Sequence, residues 1–217
     1  MESWLEIMGT MFGTNTEDGN ASKVLKYGAS VQEEIANIVN EIPENKKPKV
    51  LYIFGHSEDE ISVSSTGHYG AFWIESAGGI NAAPEITGTA TVSMEQIYEW
   101  NPDVIIISTF TETTPEDLYN NVTNGQDWSH IAAVQNKKVY KEPLGTYRWL
   151  PPSGDAPLMA KWMAQTLHPD LFTYNMTEEI ISYYKEFYQY DLTQEQAEGI
   201  LEAVPEAAKG ASFGISK

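Results

Sequence analysis

Arg148 is the residue with the clearest chemical purpose. It is the one arginine of the chain, set beside twelve lysines among 13 basic residues. No Lys or Arg occurs between Val50 and Asn136, so this guanidinium stands alone in an acidic stretch. Tyr147 and Trp149 flank it, with Gly145 before and Pro151-Pro152 after. A guanidinium grips carboxylates, phosphates and other oxyanions bidentately and stacks on flat rings. The triplet Tyr147-Arg148-Trp149 therefore reads as a contact for an anionic or aromatic ligand. The competing reading is a salt bridge to one of the many acids, with Trp149 as ordinary core.

Other candidates are single residues. His56 follows an apolar run directly; it is either a ligand contact or a hydrogen-bonding partner that orients a loop. His68 and Tyr69 close a Ser/Thr/Gly-rich segment in front of a helix, a place where free N–H groups favour anions and a plain capped loop is the alternative. Phe110 lies just past a second apolar run, placed to stack on a ligand or to pack in the core. The four histidines lack metal-ligand spacing, and there is no cysteine to supply thiolate. H-E-x-x-H, G-x-S-x-G, the P-loop and G-x-G-x-x-G are all absent, which leaves hydrolase, kinase and dinucleotide chemistry without a motif.

The elements that must hold these residues alternate between two periodicities. Val24, Tyr27, Val31, Ile35, Ile38 and Ile42 recur every three or four residues, which predicts a long helix from about Asn20 to Glu41, capped by Asp18 or Asn20 and closed by Pro43. Val50–Phe54, Val104–Ile107 and Lys138–Glu142 predict strands, the first two buried on both faces. Between them, Ser57–Gly67 reads as a polar loop and Tyr69–Ala77 as a helix. Ser93-Met-Glu-Gln96 is a capping box, and Pro115 takes the first position of another helix. Trp128–Val134, Asp155–Leu167, Thr177–Tyr190 and Thr193 to about Ala203 read as helices, as does 1–13. Strands alternating with helices imply an α/β fold: a three-layer α/β/α sandwich with a mostly parallel sheet. Such sheets bind ligands beyond the carboxyl ends of their strands, where His56, Phe110 and the Tyr147–Trp149 loop fall.

Composition narrows the partners. With 31 acidic residues and a formal charge of −18, the chain is ill suited to nucleic acid or anionic lipid surfaces. No apolar run reaches the length of a membrane span. The opening Met1-Glu-Ser-Trp-Leu-Glu lacks the regions of a signal peptide, so the expectation is either a cytoplasmic protein or a piece of a longer chain.

Several segments in order carry a resemblance: Ala77-Gly-Gly-Ile-Asn81-Ala-Ala, Val92-Ser-Met-Glu-Gln-Ile-Tyr-Glu-Trp-Asn101-Pro-Asp-Val-Ile-Ile-Ile107, Trp128 with Ala132-Ala-Val-Gln-Asn-Lys-Lys-Val-Tyr140, and Asp155-Ala-Pro-Leu with Trp162 and His168-Pro-Asp-Leu-Phe172. Together they resemble the substrate-binding proteins of ABC importers for iron-siderophore complexes, haem, cobalamin and, in one branch, molybdate or tungstate, over nearly all of residues 1–172. The resemblance implies one lobe of a bilobal protein built on a helical backbone. Residues 1–19 would be a remnant of the amino-terminal lobe, 20–43 the connecting helix and 48–217 the carboxyl-terminal α/β lobe. It implies no catalysis and no resident cofactor, the ligand being a metal chelate such as a ferric siderophore. The implied partners are ABC permease subunits and the missing amino-terminal lobe. The implied full-length protein is a monomer, extracytoplasmic, in the periplasm or lipid-anchored at the cell surface. Arg148, Tyr147, Trp149, His56, Tyr69 and Phe110 would face the ligand. Asp155 would dock onto the permease, with helix capping as its alternative role. Two further readings stay open: a molybdate-type oxyanion binder of the same family, and a hydrolase-like enzyme using Arg148 on an oxyanion substrate.

Overall fold

A computed structural model describes residues 19–203 of the chain. The expected helix at 1–13 and the tail beyond Ala203 lie outside the described residues, as does nearly all of the expected 1–19 remnant.

The chain begins with α1 (Asn20–Val39), whose stripe Val31, Ile35 and Val39 is buried. Its cap differs from the expectation: Gly19 holds the capping position, and the Asn20 side-chain amide instead donates to the Phe187 carbonyl at 2.7 Å. The sheet follows, with β1 (Lys49–His56), β2 (Ile61–Ser64), β3 (Ile80–Asn81), β4 (Thr89–Val92), β5 (Val104–Ile107) and β6 (Val139–Lys141). Between and after the strands come α2 (Tyr69–Ser76), α3 (Met94–Trp100), α4 (Pro115–Tyr119), α5 (Ala132–Gln135), α6 (Ala156–Leu167), α7 (Met176–Tyr183) and α8 (Gln194–Glu202).

The strand order is β4-β2-β1-β5-β6, with β3 also paired to β1. β5 runs parallel to β1 in the register Val50↔Val104 through Ile53↔Ile107, and β6 is parallel to β5. Successive side chains of a strand point to opposite faces, so a continuous apolar run divides into two cores. Val50, Tyr52, Val104 and Ile106 pack under α1, α2, α6 and α7. Leu51, Ile53, Ile105 and Ile107 pack under α3, α5 and Trp128. This is the expected three-layer α/β/α arrangement.

The edge of the sheet departs from the expectation. Ser57–Gly67 is not wholly loop: the chain turns at Ser57–Glu60 and returns as β2, antiparallel to β1, and β4 pairs with β2 on its far side. Ser62, Ser64, Thr89 and Thr91 alternate with Val63, Ala90 and Val92, and hydroxyl-bearing strands this short do not stand out from a polar loop. Around Trp128 the helix is shorter than expected and starts at Ala132. The predicted 177–190 helix splits: α7 passes into a π-helical turn at Tyr184–Tyr188. Elsewhere local chemistry holds. The Ser93–Gln96 capping box makes both of its reciprocal bonds, and Pro115 opens α4.

The candidate ligand-facing edge

The parallel strands end together, so His56, Ser108 and Glu142 and the loops behind them share one edge of the sheet. The loop after β6 is short and tightly bound. Leu144 and Arg148 face each other in an antiparallel bridge, and Gly145 N–H donates to the Tyr147 carbonyl at 3.2 Å. This puts Tyr147 at the tip, 40 % exposed, and turns Arg148 inward, 5 % exposed. Arg148 Nε donates to the Thr109 carbonyl at 3.2 Å. Its guanidinium carbon lies 4.9 Å from the centre of the Phe110 ring and 6.0 Å from that of Tyr147.

From Phe110 ring contacts continue across the edge. Phe110 stacks on Phe54 at 5.1 Å, Phe54 meets the edge of His68 at 6.0 Å, and His68 lies 4.8 Å from Tyr69. His68 Nδ1 is within 2.6 Å of Ser64 Oγ, which fixes the imidazole ahead of α2. Burial pulls the His68 pKa down, so the ring favours its neutral form. Beside His68 and Tyr69 opens a concavity of about 650 Å³, walled by Phe72, Trp73, Gln32 and Pro152. Ligand sites typically span about 300–1,000 Å³.

The sequence candidates thus separate into two groups. Arg148, Tyr147, Phe110 and Tyr69 belong to one line of contacts, with Phe54 and His68 as links. His56, Trp149 and Asp155 do not. The two ring nitrogens of His56 are taken by Thr113 Oγ1 at 2.8 Å and Gln126 Oε1 at 2.6 Å, with Trp128 against the ring, so it anchors loops rather than meeting a ligand. Trp149 is 1 % exposed and its indole N–H donates to Asp155 at 3.2 Å; it belongs to the core. Asp155 is 0 % exposed, and a residue without surface cannot dock onto a permease. Nor does its side chain cap α6. Its Oδ2 accepts from Thr146 N–H at 2.9 Å, Thr146 Oγ1 at 3.0 Å, Trp149 Nε1 and the Tyr184 hydroxyl at 3.2 Å, while Oδ1 accepts from Tyr188. Burial, and after it the Asp155 charge, pushes the phenols of Tyr184 and Tyr188 well above their usual range.

The sequence reading passed over a polar cluster beneath the edge. Glu142 is 0 % exposed; Thr109 N–H and Oγ1 both donate to its Oε1, at 2.9 and 2.6 Å, and the Tyr52 hydroxyl donates to Oε2. Burial raises the Glu142 pKa, opposed by these hydrogen bonds. Next to it Lys141 Nζ donates to the carbonyls of Thr111 and Thr113 at 2.6 and 2.7 Å, and burial lowers its pKa to about 8. The available signal was an acid and a base side by side at the end of a strand. Among the described residues no group of three or more His, Asp or Glu converges as a metal site. None of the described helices is long and apolar enough to cross a membrane.

Helices cover both faces of a mostly parallel sheet, and one edge of it carries a line of rings beside Arg148. Residues 1–143 match the family model described as periplasmic binding protein, and the chain belongs to that family. A periplasmic solute binding protein from Veillonella parvula superposes with a TM-score of 0.84 at 32 % identity, over 98 % of this chain and 62 % of its own. The molybdate-binding protein MolA of Haemophilus influenzae is 24 % identical over 87 % of this chain and 52 % of its own length. The molybdate-bound structure of MolA gives a TM-score of 0.70 at 25 % identity, over 88 % and 56 %. A Helicobacter pylori protein, CeuE, crystallised as a nickel–histidine complex, gives 0.65 at 27 % identity over 83 % and 56 %. The chain spans about half the length of its curated relative, 52 %, and 56–62 % of these three solved chains. The Veillonella and Haemophilus relatives are named as binding proteins.

Proposed function

We propose that this chain is the carboxyl-terminal lobe, with connecting helix, of an extracytoplasmic solute-binding protein that hands its ligand to an ABC permease. In this reading α1, within residues 20–43, is the connector and 48–217 the lobe. The favoured ligand is an anionic, ring-bearing metal chelate: a ferric siderophore, haem or a corrin. The observation that carries this choice is the unbroken line of contacts from Arg148 through Phe110, Phe54 and His68 to Tyr69 beside the concavity. Rings give a flat ligand area at small entropic cost, and the one guanidinium beneath them favours negative charge.

The similarity to MolA favours a second reading, a small oxyanion such as molybdate. A tetrahedral oxyanion needs hydrogen-bond donors aimed at it. Here the hydroxyls of the edge turn inward: Ser65 Oγ donates to the Ala83 carbonyl, Thr109 Oγ1 to Glu142 and Thr111 Oγ1 to the His56 carbonyl. Exposed rings, those of Tyr69, Phe72 and Tyr147, stand at the surface, so the chelate stands first.

The test is calorimetric titration of the full-length protein with molybdate, haemin, cyanocobalamin and a ferric tris-catecholate in parallel. The reading expects binding to one of the ring-bearing ligands, weakened by about 1.5–3 kcal/mol in Arg148→Ala, as for a lost charged hydrogen bond. Molybdate binding alone selects the second reading; unchanged affinity in Arg148→Ala removes Arg148 from the site.

A further inference from the structure

Glu142 is a carboxyl group with no surface, and such burial is costly unless the group is well hydrogen-bonded. Its partners are unevenly arranged. Tyr52 serves one oxygen; both donors of a single residue, Thr109, serve the other. Two bonds from one residue to one atom fix that residue's backbone as well as its side chain. The Thr109 carbonyl, held in this way, accepts from Arg148 Nε at 3.2 Å. Phe110, the next residue, carries the ring under the guanidinium at 4.9 Å, and its N–H is tied to Ser108 Oγ at 2.9 Å. Position along the chain therefore runs from Glu142 to Thr109 and from there to the carbonyl and the ring that Arg148 contacts.

We propose that Glu142 is a positioning residue for Arg148, acting through Thr109. The inference rests on Arg148 being the charge presented to the ligand, but its geometry stands apart from any ligand. A buried acid serving only stability would need good partners and no particular relation to Arg148. Here both donors to one oxygen belong to Thr109, the residue whose carbonyl accepts from Arg148, while the Tyr52 bond serves the other oxygen.

The sequence supplies an unusually clean probe. Because the chain has one arginine, labelling arginine with ¹⁵N gives a single Nε–H resonance, and its exchange with water reads the bond to Thr109 directly. In Glu142→Leu, measured well below its unfolding temperature, that proton exchanges at least tenfold faster and its shift moves. In Glu142→Gln, which keeps an acceptor oxygen for Thr109, exchange stays within threefold of the parent. Thr109→Val removes the hydroxyl donor while leaving Glu142 in place, and exchange quickens at least threefold. Thr109→Val also carries the test should Glu142→Leu not fold. A purely structural acid would lower the unfolding temperature and leave the Nε–H signal alone. An unchanged signal in Thr109→Val, or in a folded Glu142→Leu, overturns the proposal. Failure of the ligand reading would show instead as unchanged affinity in Arg148→Ala and would leave these exchange rates as they are.

Discussion

Tyr188 donates its hydroxyl to Asp155 Oδ1 at 2.8 Å, across 33 residues of chain. Tyr184 and Tyr188, the two ends of the π-helical turn, bring their hydroxyls to one carboxylate. From the other side Thr146 and Trp149 bind the same group. The carboxylate thus fastens the loop that carries Arg148 to the carboxyl-terminal helices, gripping it on both sides of the tip.

Asp155→Ala leaves these donors buried without their acceptor. Each orphaned donor costs about 1–3 kcal/mol, and the effects overlap, so a total loss of at least about 3 kcal/mol is expected. In a domain of this size that is roughly 6–12 °C of unfolding temperature. Tyr188→Phe removes one charged hydrogen bond and should cost about 1.5–3 kcal/mol. Urea denaturation of both variants checks the order. A loss below about 1 kcal/mol for Asp155→Ala would mean that the pocket refills with water.

Gly145 is required by closeness rather than by left-handed backbone. A Cβ there would sit 2.2 Å from Asp155 Oδ2, 2.5 Å from the Tyr184 hydroxyl and 2.8 Å from Trp149 Nε1. A lone surface side chain would swing aside, but this carboxylate is held by its donors. Gly145→Ala should therefore destabilise by about 1–3 kcal/mol, the usual cost of overpacking, and open the loop. Hydrogen exchange should then quicken at the amide of Thr146, while the α3 amides, packed in the other core, keep their protection.

What the sequence revealed and what it hid follow from the range of the interactions. The Val50–Phe54 and Val104–Ile107 runs declare themselves because both faces are buried, and the Ser93–Gln96 cap because its partners are three residues apart. The β2–β4 ribbon stayed hidden because its pattern is carried by serine and threonine. Arg148 stands out in the sequence by its solitude, and the fold sets it in one line of contacts with Tyr147, Phe110 and, through Phe54 and His68, Tyr69. Asp155 was misread because hydroxyls 29 and 33 residues away take its carboxylate, and Trp149 because its indole turns to that same buried carboxylate. Glu142 was missed since its meaning depends on Tyr52, 90 residues earlier, which no local pattern reports.

Trp149 gives a direct test of its reassignment. Trp149→Phe keeps a ring in the core and deletes the indole donation to Asp155. Stability should fall by about 1.5–3 kcal/mol, as for a charged hydrogen bond. Affinity for whichever chelate binds the full-length protein should stay within threefold. A tenfold loss of affinity with undiminished stability would return Trp149 to the ligand face.

Lys141 makes stability depend on pH in a direction set by its burial. Its pKa is lowered to about 8 in the folded chain, chiefly by burial; Glu142, Asp117 and Glu112 oppose the shift and Arg148 adds to it. In the unfolded chain a lysine titrates near 10.4. Below pH 8 both states hold the proton, and the folded state bears the full cost of burying the charge. Between pH 8 and about 10.4 the unfolded state alone holds it, so stability rises with pH in that window. Tyrosine ionisation interferes near the upper end, which makes the comparison with Lys141→Met the proper measurement. The stability of the parent relative to Lys141→Met should increase between pH 7.5 and 9.5 by urea denaturation. A difference that is flat across that interval would place the Lys141 pKa at its ordinary value and the ammonium in water.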